Sequence, residues 1–392
     1  MSGEPSPSEV RRPVSEVGGP ESEVRGLTSS PRPEPVEGRG PTSDVRRPES
    51  EVRRPVSDVR RRLFLATMLF GFFAFVVCLI APLVGPTPIR LSRVFDRSIP
   101  FHDNVDAQIF FIARLPRALA GALVGSALAA SGVVFQALLR NPLATPFTLG
   151  VSAGAALGAI LAITYPLALA ALPVPAVPLA SFAGSLFAVG IVYGLATARR
   201  LGLSTHVLLL AGVTLNAFFS ALILFVQYFA DQSQTLRTVR WLMGDLDVAT
   251  YTPILAALPL TVIAFTAFAW LPRSLNLLAV GTDAAAARGV DVLRTQRLAF
   301  FSASLATGAA VSLGGPIGFI GIVVPHLVRL LVGADHRIVL PASALFGAGF
   351  LVACDVLART LLAPIELPVG IITAMIGGPF FLWLLVRQGG RG

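Results

Sequence analysis

From Leu63 onward the chain is a succession of apolar runs separated by short polar breaks. The runs cover 63–83, 117–138, 148–165, 177–198, 206–229, 252–271, 297–314, 317–332, 338–357 and 369–387. About 20 apolar residues cross a bilayer as a helix, so the pattern predicts about ten transmembrane helices, several too short for a square crossing. Pro325 inside 317–332 predicts a kink. Small residues four apart, Gly121, Gly125 and Ala129, predict a face where helices approach closely. Trp241, Trp270 and Trp383 fall at predicted helix ends, where an aromatic belt lies.

Before Leu63 the apolar pattern is absent. A seven-residue unit repeats from Ser43 to Arg62 as "SDVRRPE", "SEVRRPV", "SDVRRR", and again at 8–14. Proline in most copies excludes a coiled coil. A stretch dominated by Pro, Ser, Glu and Arg cannot bury enough surface to offset its ordering entropy. The organisation predicted is therefore a disordered tail, 1–62, and a membrane domain, 63–392.

Composition sharpens this. The 392 residues are 54% hydrophobic and only 14% charged, against roughly 25% charged in soluble domains. Mean hydropathy is +0.74. So few charges cannot cover a soluble surface, and the chain reads as an all-α polytopic membrane protein. With the N-terminus inside, the inner loops, the C-terminus and Arg46–Arg62 carry 18 Arg against 8 outside. That bias places both termini in the cytoplasm. Five arginines of the first outer loop, Arg90, Arg93, Arg97, Arg114 and Arg117, run against it.

All basic residues are arginine. A phosphate-binding loop needs its lysine, and Schiff-base chemistry needs a lysine amine, so this chain can do neither unaided. Cys78 and Cys354 lie in apolar runs without metal or disulfide spacing. No paired carboxylate, Ser/His set or His pair marks a membrane enzyme. Asp355 and Glu366 lie near the outer ends of the last two spans, and no acid falls at mid-span. Ion-coupled transport usually uses ionisable groups at that depth. The energy for transport is therefore expected from elsewhere; the alternative is an ion-coupled secondary transporter with Asp355 as its ionisable group.

Three polar stretches carry information. In "QALLRNPLATPFTLG", 136–150, Pro142 and Pro146 stop a helix, while Asn141 and Thr145 can satisfy freed backbone groups. This predicts a tight inner turn, with Arg140 at its start. In "GTDAAAARGVDVLRTQ", 281–296, Thr282 or Asp283 can cap a short helix through Ala285 and Ala286. Gly289 after Arg288 is a stop signal, and a second short turn, Val290 to Arg294 with Leu293, is expected to lead into the next span. An inner docking element is the reading. In "RLPR", Arg114 and Arg117 share one face beside Pro116, and Arg359 ends a later span on the same outer side. Snorkelling to lipid phosphates and binding of an acidic partner are both open there.

"RLPRALAGALVGSALAASGVVFQALLRNPLATPFTLGVSAGA", "GPIGFIGIVVPHLVRLLVGADHR" and "ELPVGIITAMIGGPFFLWLL" resemble the FecCD-family permeases of ABC importers for iron–siderophores, haem and cobalamin. The resemblance runs from about Leu63 to the C-terminus and implies the type II ABC importer permease fold in a bacterial cell membrane. It implies pairing with a second copy or a paralogue, two cytoplasmic ATPase subunits that carry ATP and Mg, and an extracytoplasmic binding protein. This chain itself is expected to hold no cofactor or metal and to bind no nucleic acid. The implied cargo is an iron chelate or a related metal complex such as cobalamin. The 281–296 stretch matches the family's coupling helices. Arg114, Arg117 and Arg359 match arginines that meet glutamates of the binding protein. The fifth span matches the pathway-lining helix; Thr214, Asn216 and Ser220 are its polar atoms, with interhelical hydrogen bonding as the other reading. Arg140 and Asn141 are read as architecture near the inner mouth, contact with the ATPase being the alternative.

Overall fold

Among the described residues, ten apolar helices in the expected order build the fold. The computed structural model describes residues 56–165, 175–198, 205–247 and 250–389, and no strand occurs among them. Most of the tail predicted to be disordered lies outside the described residues. The spans are α1 (Val56–Ile80), α2 (Val105–Leu139), α3 (Val151–Thr164), α4 (Ala176–Thr197), α5 (Thr205–Tyr228), α6 (Thr252–Trp270), α7 (Val292–Gly314), α8 (Ile320–Val332), α9 (His336–Thr360) and α10 (Val369–Gly389). Seven are long and apolar enough to cross a membrane, and α3, α8 and α10 are shorter apolar helices among the described residues. Ends are called inner and outer below by the arginine bias.

α2 is the central post, packed on α9, α7 and α8. Small residues make that packing possible. A Cβ at Gly125 would collide with the Gly347 carbonyl of α9, and one at Gly132 with the Gly321 carbonyl of α8. Gly154 of α3 and Gly184 of α4 meet the same way. Lipid tails are as apolar as leucine, so close backbone approach and dispersion contacts hold these helices together. α1 and α5 are peripheral, with much of their surface unpacked.

Several boundaries differ from the apolar runs. α2 starts 12 residues before 117, through a π-helical segment Ile109–Arg114. That widened turn sits directly ahead of Pro116, whose ring would clash with the carbonyl four residues back in a regular helix. α7 starts at Val292, so the second short turn expected at Val290 to Arg294 is absorbed into one continuous helix capped by Asp291. A short amphipathic helix, Gln232–Leu242, follows α5. Its capping box, Asp231 with Gln234, was legible in the sequence as D-x-x-Q before a mixed run.

The link between α7 and α8 folds inward. Gly314 lies against Val124 and Leu246, while Gly321 lies against Leu128 and Gly132 farther along α2. The 13 residues of α8 therefore span only about 20 Å and begin part-way down the post. The non-helical stretch 315–319 packs against protein, which is where a bilayer protein tolerates such backbone.

Candidate functional site

At the outer ends of α2 and α9, a closed ion cluster forms. Arg117 Nε donates to Asp355 Oδ1 at 2.8 Å, and its Nη1 donates to Glu366 Oε2 at 2.6 Å. Its Nη2 lies 3.9 Å from Asp245 Oδ1. Arg359 Nε lies 3.1 Å from the other Asp355 oxygen, an ion contact without hydrogen-bond alignment, and its Nη2 donates to the Ala81 carbonyl at 3.1 Å. Arg114 donates to the carbonyls of Pro82, Leu83 and Thr87, which ties α2 to the segment after α1. Arg117 and Arg359 thus share three carboxylates, with the buried Asp355 balanced by both, while Arg114 meets carbonyls alone. In a low-dielectric setting that balance matters, because an unpaired buried ion costs several kcal/mol.

This arrangement revises the docking set. Arg114, Arg117 and Arg359 are 5, 7 and 2% exposed. The structure turns all three inward, against the expectation that they face a partner or lipid phosphates. For Arg117 and Arg359 the reason is the acids opposite: Asp355 and Glu366 stand out in the sequence, but their pairing with Arg117 needs the fold to bring 117, 355 and 366 together; for Arg114 it is the carbonyls after α1. Asp245 was not anticipated at all. It lies outside the spans, and burial pushes its carboxyl up against the pull of Arg117. The secondary-transporter reading finds no support: Asp355, the acid it requires, is held between Arg117 and Arg359.

On the inner side, the helix Thr282–Ala286 follows Pro272–Val280. Gly281, at φ 150°, is its N-cap, in place of the Thr282 or Asp283 expected there. Gly289 has φ 82°. Its N–H reaches the Ala286 carbonyl at 2.9 Å and the Val290 N–H reaches the Ala285 carbonyl at 3.1 Å, a Schellman stop. The two alanines part company: Ala285 is fully buried and Ala286 is exposed. Asp283, Arg288, Gly289 and Leu293 are exposed, while Thr282 and Val290 are half-buried. So the loop presents a small, smooth outer face on a fixed base.

In the second turn, Arg140 caps α2 in a left-handed conformation, φ 48° and ψ 36°. Asn141 Oδ1 accepts from the Leu143 N–H at 2.9 Å, and the Asn141 N–H reaches the Gln136 carbonyl. Pro142 follows, and Pro146 opens the 3-10 turn Pro146–Leu149 behind a Thr145–Thr148 capping box. On α5, Thr214 and Ser220 are exposed. Asn216 points the other way, donating to the Phe147 carbonyl at 2.8 Å. That makes Asn216 an interhelical strut fixing α5 to the turn, as its position about 200° round the helix from Thr214 dictates.

Nearby, Asp335 caps α9 and accepts from Asn276 at 2.7 Å and from Arg337 at 2.7 Å. Burial would raise its carboxyl, but these hydrogen bonds and the Arg337 charge hold it down at about 2. Among the described residues no group of His, Cys, Asp and Glu could hold a metal ion.

The comparisons with known proteins agree with one another. The model of the FecCD transport family matches residues 72–387. The cobalamin import permease BtuC of Halobacterium salinarum is 46% identical over 273 residues, which are 69% of this chain and 72% of that protein. The hemin transport permease HmuU of Yersinia pestis is 42% identical over 281 residues, 71% of this chain and 84% of that one. A solved chain, described as an inward-facing conformation of a metal-chelate type ABC transporter, superposes with TM-score 0.70 at 31% identity and covers 84% of this chain and 99% of its own.

Proposed function

This chain belongs to the FecCD transport family, and from that premise we propose that it is the translocation subunit of an ATP-driven importer for an iron chelate. Siderophore complexes and haem are the cargo class; cobalamin is the related alternative. Relatives named for hemin and cobalamin support that class. The permease lies in the bacterial plasma membrane with both termini cytoplasmic. It pairs with a second copy or a paralogue along the unpacked face of α5, where Leu210, Val213, Leu224 and Tyr228 are 58–85% exposed. Spacings of three, eleven and four residues bring all four to one face of the helix, one stripe. Thr214 lies on the same stripe and, with Ser220, lends polar atoms to the pathway.

ATP and Mg reside on two ATPase subunits below. The observation that carries the coupling role is the 281–296 loop: an exposed Ala286 face held by a buried Ala285 and a Schellman stop. Closure of the ATPase pair moves that helix. The movement is delivered through the adjoining α7 and Pro272–Val280 to the spans lining the dimer axis. A binding protein docks outside. Arg114, Arg117 and Arg359 act there as positioning residues that hold the outer helix ends. The exposed Arg90, Arg93 and Arg97 of the first outer loop are the guanidiniums open to acidic residues of that partner.

The test is uptake in proteoliposomes with the ATPase inside and the binding protein outside. Ferric chelate, haem and cobalamin are offered in turn. ATP-dependent accumulation that survives collapse of the proton gradient is expected. Accumulation that follows the gradient at constant ATP would overturn the reading.

A further inference from the structure

We propose that the pocket under the 140–146 turn seats a carboxylate side chain of the ATPase partner, with Arg140 and Arg329 as its cationic walls. This rests on the reading that the ATPase docks at 281–296. The pocket holds about 430 Å³ and is lined by Gln136, Arg140, Asn141, Asn276, Arg329 and His336, among others. Asn276 belongs to Pro272–Val280, the helix that leads directly into Thr282–Ala286 and packs on it. The pocket and the coupling helix therefore share one support.

The first observation is the backbone of Arg140. At φ 48° an L-residue is disfavoured, and Gly or Asn is the ordinary occupant of such a helix end. Arginine gains nothing there for the backbone, so its exposed guanidinium is what the position serves. The second is charge. The lining contains two arginines and no acid. The acid nearest in sequence, Asp335, is turned to Arg337 and Asn276. Arg273, Arg288 and Arg297 are exposed in the inner stretch 273–297. Of the acids in that stretch, Asp291 is paired with Arg294 at 2.9 Å and Asp283 is exposed. The third is rigidity. Asn276 Oδ1 accepts from the His336 backbone N–H at 2.9 Å and meets His336 Nδ1 at 2.7 Å, while its amide donates to Asp335. The wall is fixed before any partner arrives, which lowers the ordering cost of binding.

Arg140→Gly is the decisive variant, because glycine suits the left-handed position while the guanidinium goes with the rest of the exposed side chain. Permease in phosphatidylcholine nanodiscs is titrated with purified ATPase at low and high salt, beside thermal unfolding of each variant. Arg140→Gly should be at least as heat-stable as the parent yet bind the ATPase about tenfold more weakly at low salt, the gap closing at high salt. Arg329→Gln should weaken binding with the same salt dependence. Unchanged affinity of Arg140→Gly at low salt would overturn the proposal. Ala286→Glu separates the two readings. If it loses the ATPase while Arg140→Gly does not, only the pocket assignment falls; if it too binds like the parent, the 281–296 docking reading falls with it. A repeat in phosphatidylglycerol nanodiscs covers the other anion: a loss of bound anionic lipid, with ATPase affinity unchanged, would make the pocket a headgroup site and end the proposal.

Discussion

Replace Arg117 with methionine and the outer cluster keeps its shape but loses one of the two positive charges that contact its carboxylates. The methionine retains the apolar stem, so little packing is removed. What remains is Asp355, 1% exposed, with a single misaligned contact to Arg359 at 3.1 Å. Glu366 also loses its 2.6 Å partner, but its side chain is 43% exposed and can be solvated. The cost therefore sits on Asp355. Breaking a buried pair from one side costs about 3–5 kcal/mol, and the Glu366 part adds under about 1 kcal/mol. Adding Asp355→Asn removes the buried charge that Arg117→Met leaves with too little compensation. The double variant should recover about 2 kcal/mol or more of the sum of the single losses. The assay is thermal unfolding in detergent, followed by tryptophan fluorescence, for Arg117→Met, Asp355→Asn, the pair, and Glu366→Gln as the exposed control. Additive losses in the pair would refute the cluster as a coupled unit, and a Glu366→Gln loss as large as that of Arg117→Met would show that burial does not set the cost.

Three further outcomes are expected. Ala285→Glu should lower the amount of folded permease, because it buries a carboxylate against Pro272–Val280. Ala286→Glu should leave folding intact, since Glu is a fair helix former, and abolish stimulated ATP hydrolysis in proteoliposomes. Gly132→Val should cost about 1–3 kcal/mol by forcing α2 off the Gly321 carbonyl, whereas Gly190→Ala, with open space around it, should be neutral or slightly stabilising on the same unfolding assay. Asp335 has a folded pKa of about 2, below its ordinary value, so its stabilisation is complete above about pH 4 and is lost as pH falls toward 2. Melting temperature measured from pH 5 to pH 2 should therefore fall less steeply for Asp335→Asn than for the parent; parallel curves would remove the Asp335 contribution.

About ten membrane helices, their order and the membrane class are legible in the apolar runs alone. These depend on apolar runs long enough to bury their own backbone hydrogen bonds in lipid, a local property. The two inner stretches are legible too, because capping residues, alanines, Gly289 and the prolines act within one or two turns. Some detail slipped even there: Gly281 took the cap that Thr282 or Asp283 was expected to provide, and Asp291 extended α7 back through the second turn, since competing caps differ by little energy. Which way the polar groups face depends instead on how the helices pack. Whether Ala285 or Ala286 is presented depends on the neighbouring helix. Asn216 serves the turn because Phe147 happens to lie across from it. The outer arginines illustrate the limit most clearly. Position along the chain put them at the outer surface, but the fate of Arg117 and Arg359 was set by Asp355, Glu366 and Asp245, residues up to 249 positions away. Opposite charges at helix ends are drawn together and out of water only when packing of α2, α9 and α10 brings them within reach, and no periodicity in one segment encodes that distance.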